Sequence, residues 1–249
     1  MEITAEELRQ MASAVDHTHR EAMRTFREET AELHLESSRS RRSVLKNAGV
    51  VGLGGLALAA APALLPTGSL LQRAGAAGLS DADIAAFAES VELAAVAIYS
   101  DPDVGALLSK DIAAVAQLFA SHHKDHAAAF ASLSGGKATG KANAPIVKVF
   151  TNTLKPTVKN QTDVLTLASV VESQAAATYA FALTALQSPD AAAGTATILP
   201  VEAEHAAMLG AVLGQAPDAL FPTGAFVGAS VGALGDPKVG IDPSMYPVG

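Results

Sequence analysis

A six-residue motif occurs twice in this sequence, as HKDHAA at residues 123–128 and as EAEHAA at residues 202–207. A second motif also recurs, as VEL at residues 91–93 and VES at residues 171–173, each with a tyrosine eight residues after its valine. The two motifs repeat at offsets of 79 and 80 residues. The body of the chain therefore consists of one helix pair that is duplicated. Such a duplication folds most simply as an antiparallel four-helix bundle with a pseudo-twofold axis.

Local breakers divide this body into four helices. Asp-Pro, Gly-Gly and Ser-Pro sequences fall where each periodic segment stops, and such residues end helices. The expected helices cover residues 80–100, 106–133, 161–187 and 191–214. Residues 134–160 are long enough to cross from one end of the bundle to the other. Residues 216–249 are rich in Gly and Pro, and we expect an irregular tail there.

The composition favours an all-α protein. Apolar residues make up 49% of the chain but aromatic residues only 4%, and such a mixture suits close-packed helices better than a β-sandwich. The absence of cysteine excludes disulfides, thiolate zinc sites, iron–sulfur clusters and cysteine nucleophiles. Residues 78–249 hold eight Lys, no Arg and sixteen acidic residues. We therefore expect no nucleic-acid binding, because nothing is placed to neutralise phosphates.

The repeated motifs carry the types of side chain that bind metals. Residues three apart on a helix are separated by about 60°, so each half of the repeat can aim two donors at one point. Mixed carboxylate and imidazole donors favour iron or manganese, and the metal supplies the charge that buried carboxylates need. The predicted ligands, in a body with only five Glu and four His, are Glu92, His123, His126, Glu172, Glu202 and His205.

Four other polar residues lie in or beside the motifs and are not among the predicted ligands. Glu89 is predicted to be exposed, with a further ligand or an acidic entry group as the alternatives. Asp125 and Glu204 point about 100° away from the histidines that follow them, so both are predicted to be solvated. His122 is an alternative donor on its helix, although the alignment of the repeats favours the adjacent histidine.

Residues 80–214 resemble the ferritin-like superfamily, especially its exported members with a single ferritin-like domain. That family has Glu on the first and third helices and Glu-x-x-His on the second and fourth, and this sequence departs from it only at His123. The resemblance implies a ferritin-like four-helix bundle with a long crossover between helices 2 and 3, and a non-haem di-iron site. Since the family's residue at the departure is a bridging glutamate, Glu202 remains the one bridging candidate, and a single metal or an asymmetric pair is allowed.

Two tyrosines, Tyr99 and Tyr179, resemble the tyrosines that hydrogen-bond the metal-binding carboxylates in such bundles. Aromatic packing in a core poor in rings is the alternative interpretation.

Residues 40–46, SRRSVLK, resemble the twin-arginine export motif, with Val44 where that motif usually has Phe. An uncharged Gly- and Ala-rich segment follows at residues 47–72 and predicts a signal rather than a permanent span. A retained N-terminal membrane anchor through these residues is the alternative. Small-x-small cleavage sites occur between residues 57 and 76.

Residues 1–39 are an unusually long charged segment before such a signal. A capping box at residues 4–7 predicts a short helix. The rest of the segment, with His17, His19 and His34, is interpreted as solvent-exposed chain that is later discarded.

These expectations divide the chain into residues 1–39, 40–77, 78–215 and 216–249. They predict a metalloprotein exported through the twin-arginine machinery to the periplasm, the cell envelope or the medium. It would hold one or two iron ions, or manganese, and react with O₂ or peroxide as an oxidase or ferroxidase. The alternative is a structural or stress-protective envelope protein without redox turnover, and iron storage in a closed cage is a weaker third. The substrate, the redox partner and the formation of a homo-oligomer stay open.

Overall fold

The computed structural model describes residues 3–48, 79–216, 231–235 and 239–248, and the side chains of residues 32–48 fall outside this description. The hydrophobic part of the predicted export signal beyond residue 48 also lies outside the described residues. The long helices are α1 Ala5–Ala48, α2 Asp81–Tyr99, α4 Lys110–Leu133, α6 Gln161–Ala185 and α7 Pro189–Val212. The short elements are α3 Pro102–Gly105, α5 Ala144–Val149, β1 Val231–Gly232 and β2 Gly240–Ile241.

The four predicted bundle helices are α2, α4, α6 and α7, and the prediction of an all-α ferritin-like bundle is confirmed. Helix α2 packs on α4, and α6 packs on α7, so each sequence repeat forms one hairpin. Side-chain caps at Ser80, Ser109, Asn160 and Ser188 accept hydrogen bonds from backbone N–H groups in the first turns. These caps satisfy N–H groups that have no partner within the helix, which is why the four helices begin where they do.

The crossover between α4 and α6 is more ordered than a simple loop. It contains α5, a π-helical turn at Phe150–Leu154 and a 3₁₀ turn at Lys155–Thr157. Asn143 caps α5, and its amide nitrogen donates to Ser90 Oγ at 3.1 Å and to the Tyr246 carbonyl at 3.0 Å. One buried amide therefore ties the crossover to α2 and to the C-terminal tail.

The described part of the tail packs on the bundle. Strands β1 and β2 form a two-residue parallel pair within a tail that is otherwise irregular at its described residues. Gln174 on α6 accepts from Gly235 N–H and donates to the Ala233 carbonyl, each at 2.8 Å. Gly240 lies so close to α6 that a Cβ there would be 2.8 Å from Thr178 Cα, and this close approach requires glycine.

Helix α1 is a fifth long helix, and it packs against α7 and α4. The predicted capping box is present, because Thr4 N–H donates to Glu7 Oε2 at 2.8 Å and Glu7 N–H donates to Thr4 Oγ1 at 3.2 Å. Leu8, Val15 and Met23 are buried against the bundle. The interpretation of this segment as a short helix in solvent-exposed chain is therefore wrong for residues 3–31.

A polar layer lies in the middle of the bundle, between two apolar clusters. One is centred on Phe119 and Met208, and the other on Phe130 and Ile198. Helix α1 contributes Leu8 to the first cluster and Met23 to the second. Among the residues that the structure describes, no helix has an apolar stretch long enough to cross a bilayer.

Candidate metal centre

The polar layer contains all six predicted ligands. Helix α2 provides Glu92, α4 provides two histidines, α6 provides Glu172, and α7 provides a glutamate and a histidine. Each of the six side chains belongs to a residue that is at most 1% exposed. The i,i+3 spacing on α4 and α7 turns both donors of each pair into the bundle, as helix geometry requires.

The six side chains form two overlapping donor sets. In each set the donor atoms lie within 4.8 Å of one another, close enough to surround a metal ion. The first set is Glu92, His123, His126 and Glu202, and the second set is His123, Glu172, Glu202 and His205. His123 and Glu202 are therefore common to both sets, and each set has two further residues of its own.

His123 reaches both donor sets with different nitrogens. Its Nδ1 lies 2.7 Å from Glu92 Oε2, and its Nε2 lies 3.1 Å from Glu172 Oε1. The sequence left Glu202 as the one side chain able to serve both halves of the site. In the structure His123 also lies between the two halves.

The two tyrosines hydrogen-bond the carboxylates across the pseudo-twofold axis. Tyr99 on α2 donates to Glu172 on α6, and Tyr179 on α6 donates to Glu92 on α2. Burial, together with the facing carboxylate, raises the pKa of both tyrosines well above 10. Both hydroxyls therefore keep their protons and act as donors, and each one fixes a carboxylate of the opposite hairpin.

With this geometry in place, comparison with known proteins identifies the bundle. A model of the ferritin-like domain matches residues 75–215, which is more than half of the chain and contains all six residues of the two donor sets. The chain belongs to the ferritin-like domain family. No curated protein and no solved structure matches it.

Unpartnered polar atoms show that the ferritin-like site fits a cation. Both carboxylate oxygens of Glu202 and Nδ1 of His126 have no hydrogen-bond partner among the described residues. Nδ1 of His126 and Oε1 of Glu202 lie 2.6 Å apart but complete no hydrogen bond of normal geometry. Buried polar atoms without partners are costly, and an ion held by both residues would satisfy them.

Ionisation in the metal-free site follows from the close approach of opposite charges. Burial would lower the pKa of His126, but Glu202 and Glu92 outweigh it and raise that pKa to about 9. Burial would raise the pKa of Glu92, but His123 and His126 lower it to about 2. The carboxylates and imidazoles therefore stabilise each other's charged forms until an ion displaces the protons from the histidines.

Sequence reasoning missed a second layer of histidines. His19 on α1 is 3% exposed, and its Nδ1 lies 3.2 Å from Nε2 of His126. His122 on α4 is 1% exposed, and its Nδ1 lies 3.0 Å from Nε2 of His205. His19 comes from outside the matched ferritin-like domain. His17 is exposed as expected, and the side chain of His34 lies outside the described residues.

The predictions for the remaining acidic residues were partly wrong. Glu89 is 2% exposed rather than at the surface, and its Oε1 accepts a hydrogen bond from Gly140 N–H of the crossover at 2.9 Å. Asp125 has a side chain that is 63% exposed, as expected, yet it also contacts His19. Glu204 is partly buried. His122 lies in neither donor set.

Proposed function

We propose that this ferritin-like protein is an exported non-haem metalloprotein that binds one or two ions, preferably iron, and handles ferrous iron, oxygen or peroxide. The observation that carries the proposal is the set of three buried carboxylates and three buried imidazoles converging from four helices. Iron suits such a donor set, with manganese as the alternative. Export rests on the sequence, through the twin-arginine motif of residues 40–46 and the uncharged segment of residues 47–72.

Each half of the site would hold an ion with its own carboxylate and histidine. Glu92 and His126 would serve one half, and Glu172 and His205 the other, with His123 and Glu202 placed to serve both. Bound iron would supply electron exchange with oxygen or peroxide.

The residues around the site would orient its ligands and exclude water. Tyr99 and Tyr179 hold one carboxylate each by hydrogen bonds. Apolar clusters flank the layer on both sides, and exclusion of water by them would strengthen electrostatic interactions within it. An apolar cavity of about 50 Å³, lined in part by Tyr99, Phe119 and Leu165, adjoins the layer and has the chemistry to admit a small apolar molecule such as O₂.

One observation favours a second candidate, a structural bundle without redox turnover. Burial alone would lower the pKa of His123, but Glu172, Glu202 and Glu92 raise it well above 6.5. A protonated His123, contacting Glu92 and Glu172, would then offset buried negative charge without a metal. Buried ion clusters of this kind can have a structural role.

Metal content and metal binding separate the two candidates. Purified full-length protein is stripped with a chelator, titrated anaerobically with Fe²⁺ or Mn²⁺, and then exposed to O₂ while absorbance is recorded. Glu202→Gln keeps the shape of the side chain but removes its charge, and we expect it to weaken binding by at least about tenfold. Glu204→Gln is the matched control, because it changes the same residue type two positions away and outside both donor sets.

A functional site should also stabilise the fold when it is filled. Saturation at about 100 times Kd adds about 2.7 kcal/mol to the free energy of unfolding, which raises Tm by roughly 5–10 °C for a chain of this size. Wild-type protein that binds neither Fe²⁺ nor Mn²⁺ would refute the metalloprotein and favour the structural bundle. Binding without any absorbance change on adding O₂ would refute the redox role alone.

A further inference from the structure

Two histidine–aspartate contacts join helices α1 and α4 beside the metal centre. Nε2 of His19 on α1 lies 3.2 Å from Oδ2 of Asp125 on α4. Nε2 of His122 on α4 lies 3.4 Å from Oδ1 of Asp16 on α1. Each helix carries its aspartate and histidine three residues apart, so both side chains share one face. The rings of His19 and His122 stack between the two helices, with centroids 3.9 Å apart and planes inclined by 13°.

Each of these histidines also contacts one histidine of the donor sets. Nδ1 of His19 faces Nε2 of His126 at 3.2 Å, and Nδ1 of His122 faces Nε2 of His205 at 3.0 Å. Two parallel chains of contacts therefore run from the centre to an aspartate. The first chain is His126, His19 and Asp125, and the second is His205, His122 and Asp16.

The direction of the hydrogen bonds follows from the atom that faces the centre. His126 directs Nδ1 at Glu202 and Glu92, so a metal would bind at that nitrogen and the proton of the neutral ring would lie on Nε2. Nε2–H can then donate only to an unprotonated Nδ1 of His19. A neutral His19 with a free Nδ1 carries its proton on Nε2, where Asp125 accepts it.

The same reasoning orders the second chain. Nδ1 of His205 lies 3.2 Å from Glu172 Oε2 and 3.3 Å from Glu202 Oε2, so its Nε2–H points to His122. A neutral His122 that accepts from His205 at Nδ1 carries its proton on Nε2, where Asp16 accepts it.

We propose that His19 and His122 are positioning residues that fix the tautomer and ring orientation of His126 and His205, and that helix α1 thereby forms one wall of the metal centre. Metal-binding histidines usually donate their second nitrogen to a carboxylate, a carbonyl or a water. Here a neutral imidazole stands between each ligand and its aspartate. The inserted ring moves the carboxylate outward, and the Asp125 side chain is 63% exposed.

This inference rests on the proposed metal site, and Zn²⁺ is the probe that tests it on the full chain. Zn²⁺ accepts imidazole and carboxylate ligands and is diamagnetic. We expect His19→Ala to weaken Zn²⁺ binding by about 10- to 100-fold, the range for loss of a partner that orients a ligand. His17→Ala is the matched control, because His17 lies two residues away on the same helix and is exposed. Its Kd should equal that of the wild type.

Two further variants separate positioning from folding. His19→Asn keeps an acceptor near the Nδ1 position, so it should recover part of the affinity that His19→Ala loses. Asp125→Ala changes an exposed side chain, and we expect a several-fold weaker affinity for Zn²⁺ with an unchanged Tm of the metal-free protein. Asp111→Ala, which changes an exposed aspartate on the same helix, should leave the Zn²⁺ affinity unchanged.

Nitrogen NMR of the Zn²⁺-loaded wild type reads the tautomers directly. Protons on Nε2 of His19 and His122 are expected, whereas a proton on Nδ1 of either ring would overturn the inference. It would also be overturned if His19→Ala bound Zn²⁺ as tightly as His17→Ala. Wild-type protein that binds no Zn²⁺ would instead refute the metal site itself, so the two failures are distinguishable.

Discussion

The packing of α1 against α7 can be tested through Phe26 and Gly194. Phe26 is 5% exposed, and a Cβ added at Gly194 would lie 2.5 Å from its Cε2. Phe26→Ala should cost about 3–5 kcal/mol of unfolding free energy through lost burial and the cavity that remains. For a chain of this size the loss corresponds to a Tm lower by about 6–20 °C.

Gly194→Ala has two opposing effects in the wild-type background. Overpacking against the Phe26 ring costs about 1–3 kcal/mol, whereas alanine in place of glycine inside a helix gains about 1 kcal/mol. The single variant should therefore be destabilised by about 0–2 kcal/mol. In the Phe26→Ala background the ring is gone, but Leu133 Cδ1 would still lie 2.9 Å from the added Cβ and must shift. The same change should therefore cost less than in the wild type and be near neutral. The expected coupling is about 0.5–3 kcal/mol.

Denaturant unfolding of the four metal-free proteins, followed by circular dichroism, measures this cycle. Arg27→Ala, the exposed neighbour of Phe26, is the control and should stay within about 0.5 kcal/mol of the wild type. If Phe26→Ala matched Arg27→Ala, or if the cycle showed no coupling, α1 would not be docked on α7 in solution.

Two further predictions concern single contacts. Lys137 donates to Asp83 at 2.6 Å, and this contact, followed by those of Ser80, lowers the pKa of Asp83 to about 2. Lys137→Ala should raise that pKa towards 3.8 in an NMR titration. The Lys137–Asp83 contact should stabilise the fold fully at neutral pH, and this stabilisation should be lost as the pH falls through about 2. An unchanged Asp83 pKa in Lys137→Ala would contradict the contact. Tyr99→Phe removes the donor to buried Glu172 and should cost the metal-free protein about 1–3 kcal/mol in denaturant unfolding, whereas wild-type stability would refute that hydrogen bond.

The bundle and its inner site could be predicted because their signals are local and repeated. The i,i+3 pairs and the duplicated motifs place donors on helix faces without any knowledge of long-range contacts. Ser188 and Pro189 likewise set the start of α7 by cap chemistry that is visible in the sequence. The helix bounds differ from the expected ones by a few residues, mainly where the separate turn α3 precedes α4.

The environment of Glu89 could not be predicted in the same way. Its partner is a backbone N–H at Gly140, 51 positions away on a loop whose path depends on the whole fold. No periodic pattern encodes such a contact. The exposure assigned to Glu89 followed from local position alone, and the crossover covers it.

The role of α1 was missed for a different reason. The charged residues of the first 39 positions and the double arginine after them are typical of an export signal. A signal for packing was nevertheless present, because Leu8, Val15, Met23 and Phe26 recur at intervals of seven, eight and three residues, which are close to whole helical turns. His19 lies on the same stripe, four residues from Val15 and from Met23. Such a stripe indicates a helix with one buried face. Only the folded arrangement shows which surface that face covers.

The part of α1 that packs on the bundle, up to residue 31, lies upstream of the export motif, and this order affects what proteolytic maturation would do. If the chain were cut between residues 57 and 76, α1 would change from a tethered segment to a separate peptide bound in a groove. A short tether gives its segment an effective concentration on the order of millimolar, and a cut removes that advantage. Retention of His19 would then depend on dilution and on the dissociation rate of the peptide. Cleavage of a single peptide bond outside the bundle would thus determine whether the metal centre keeps α1.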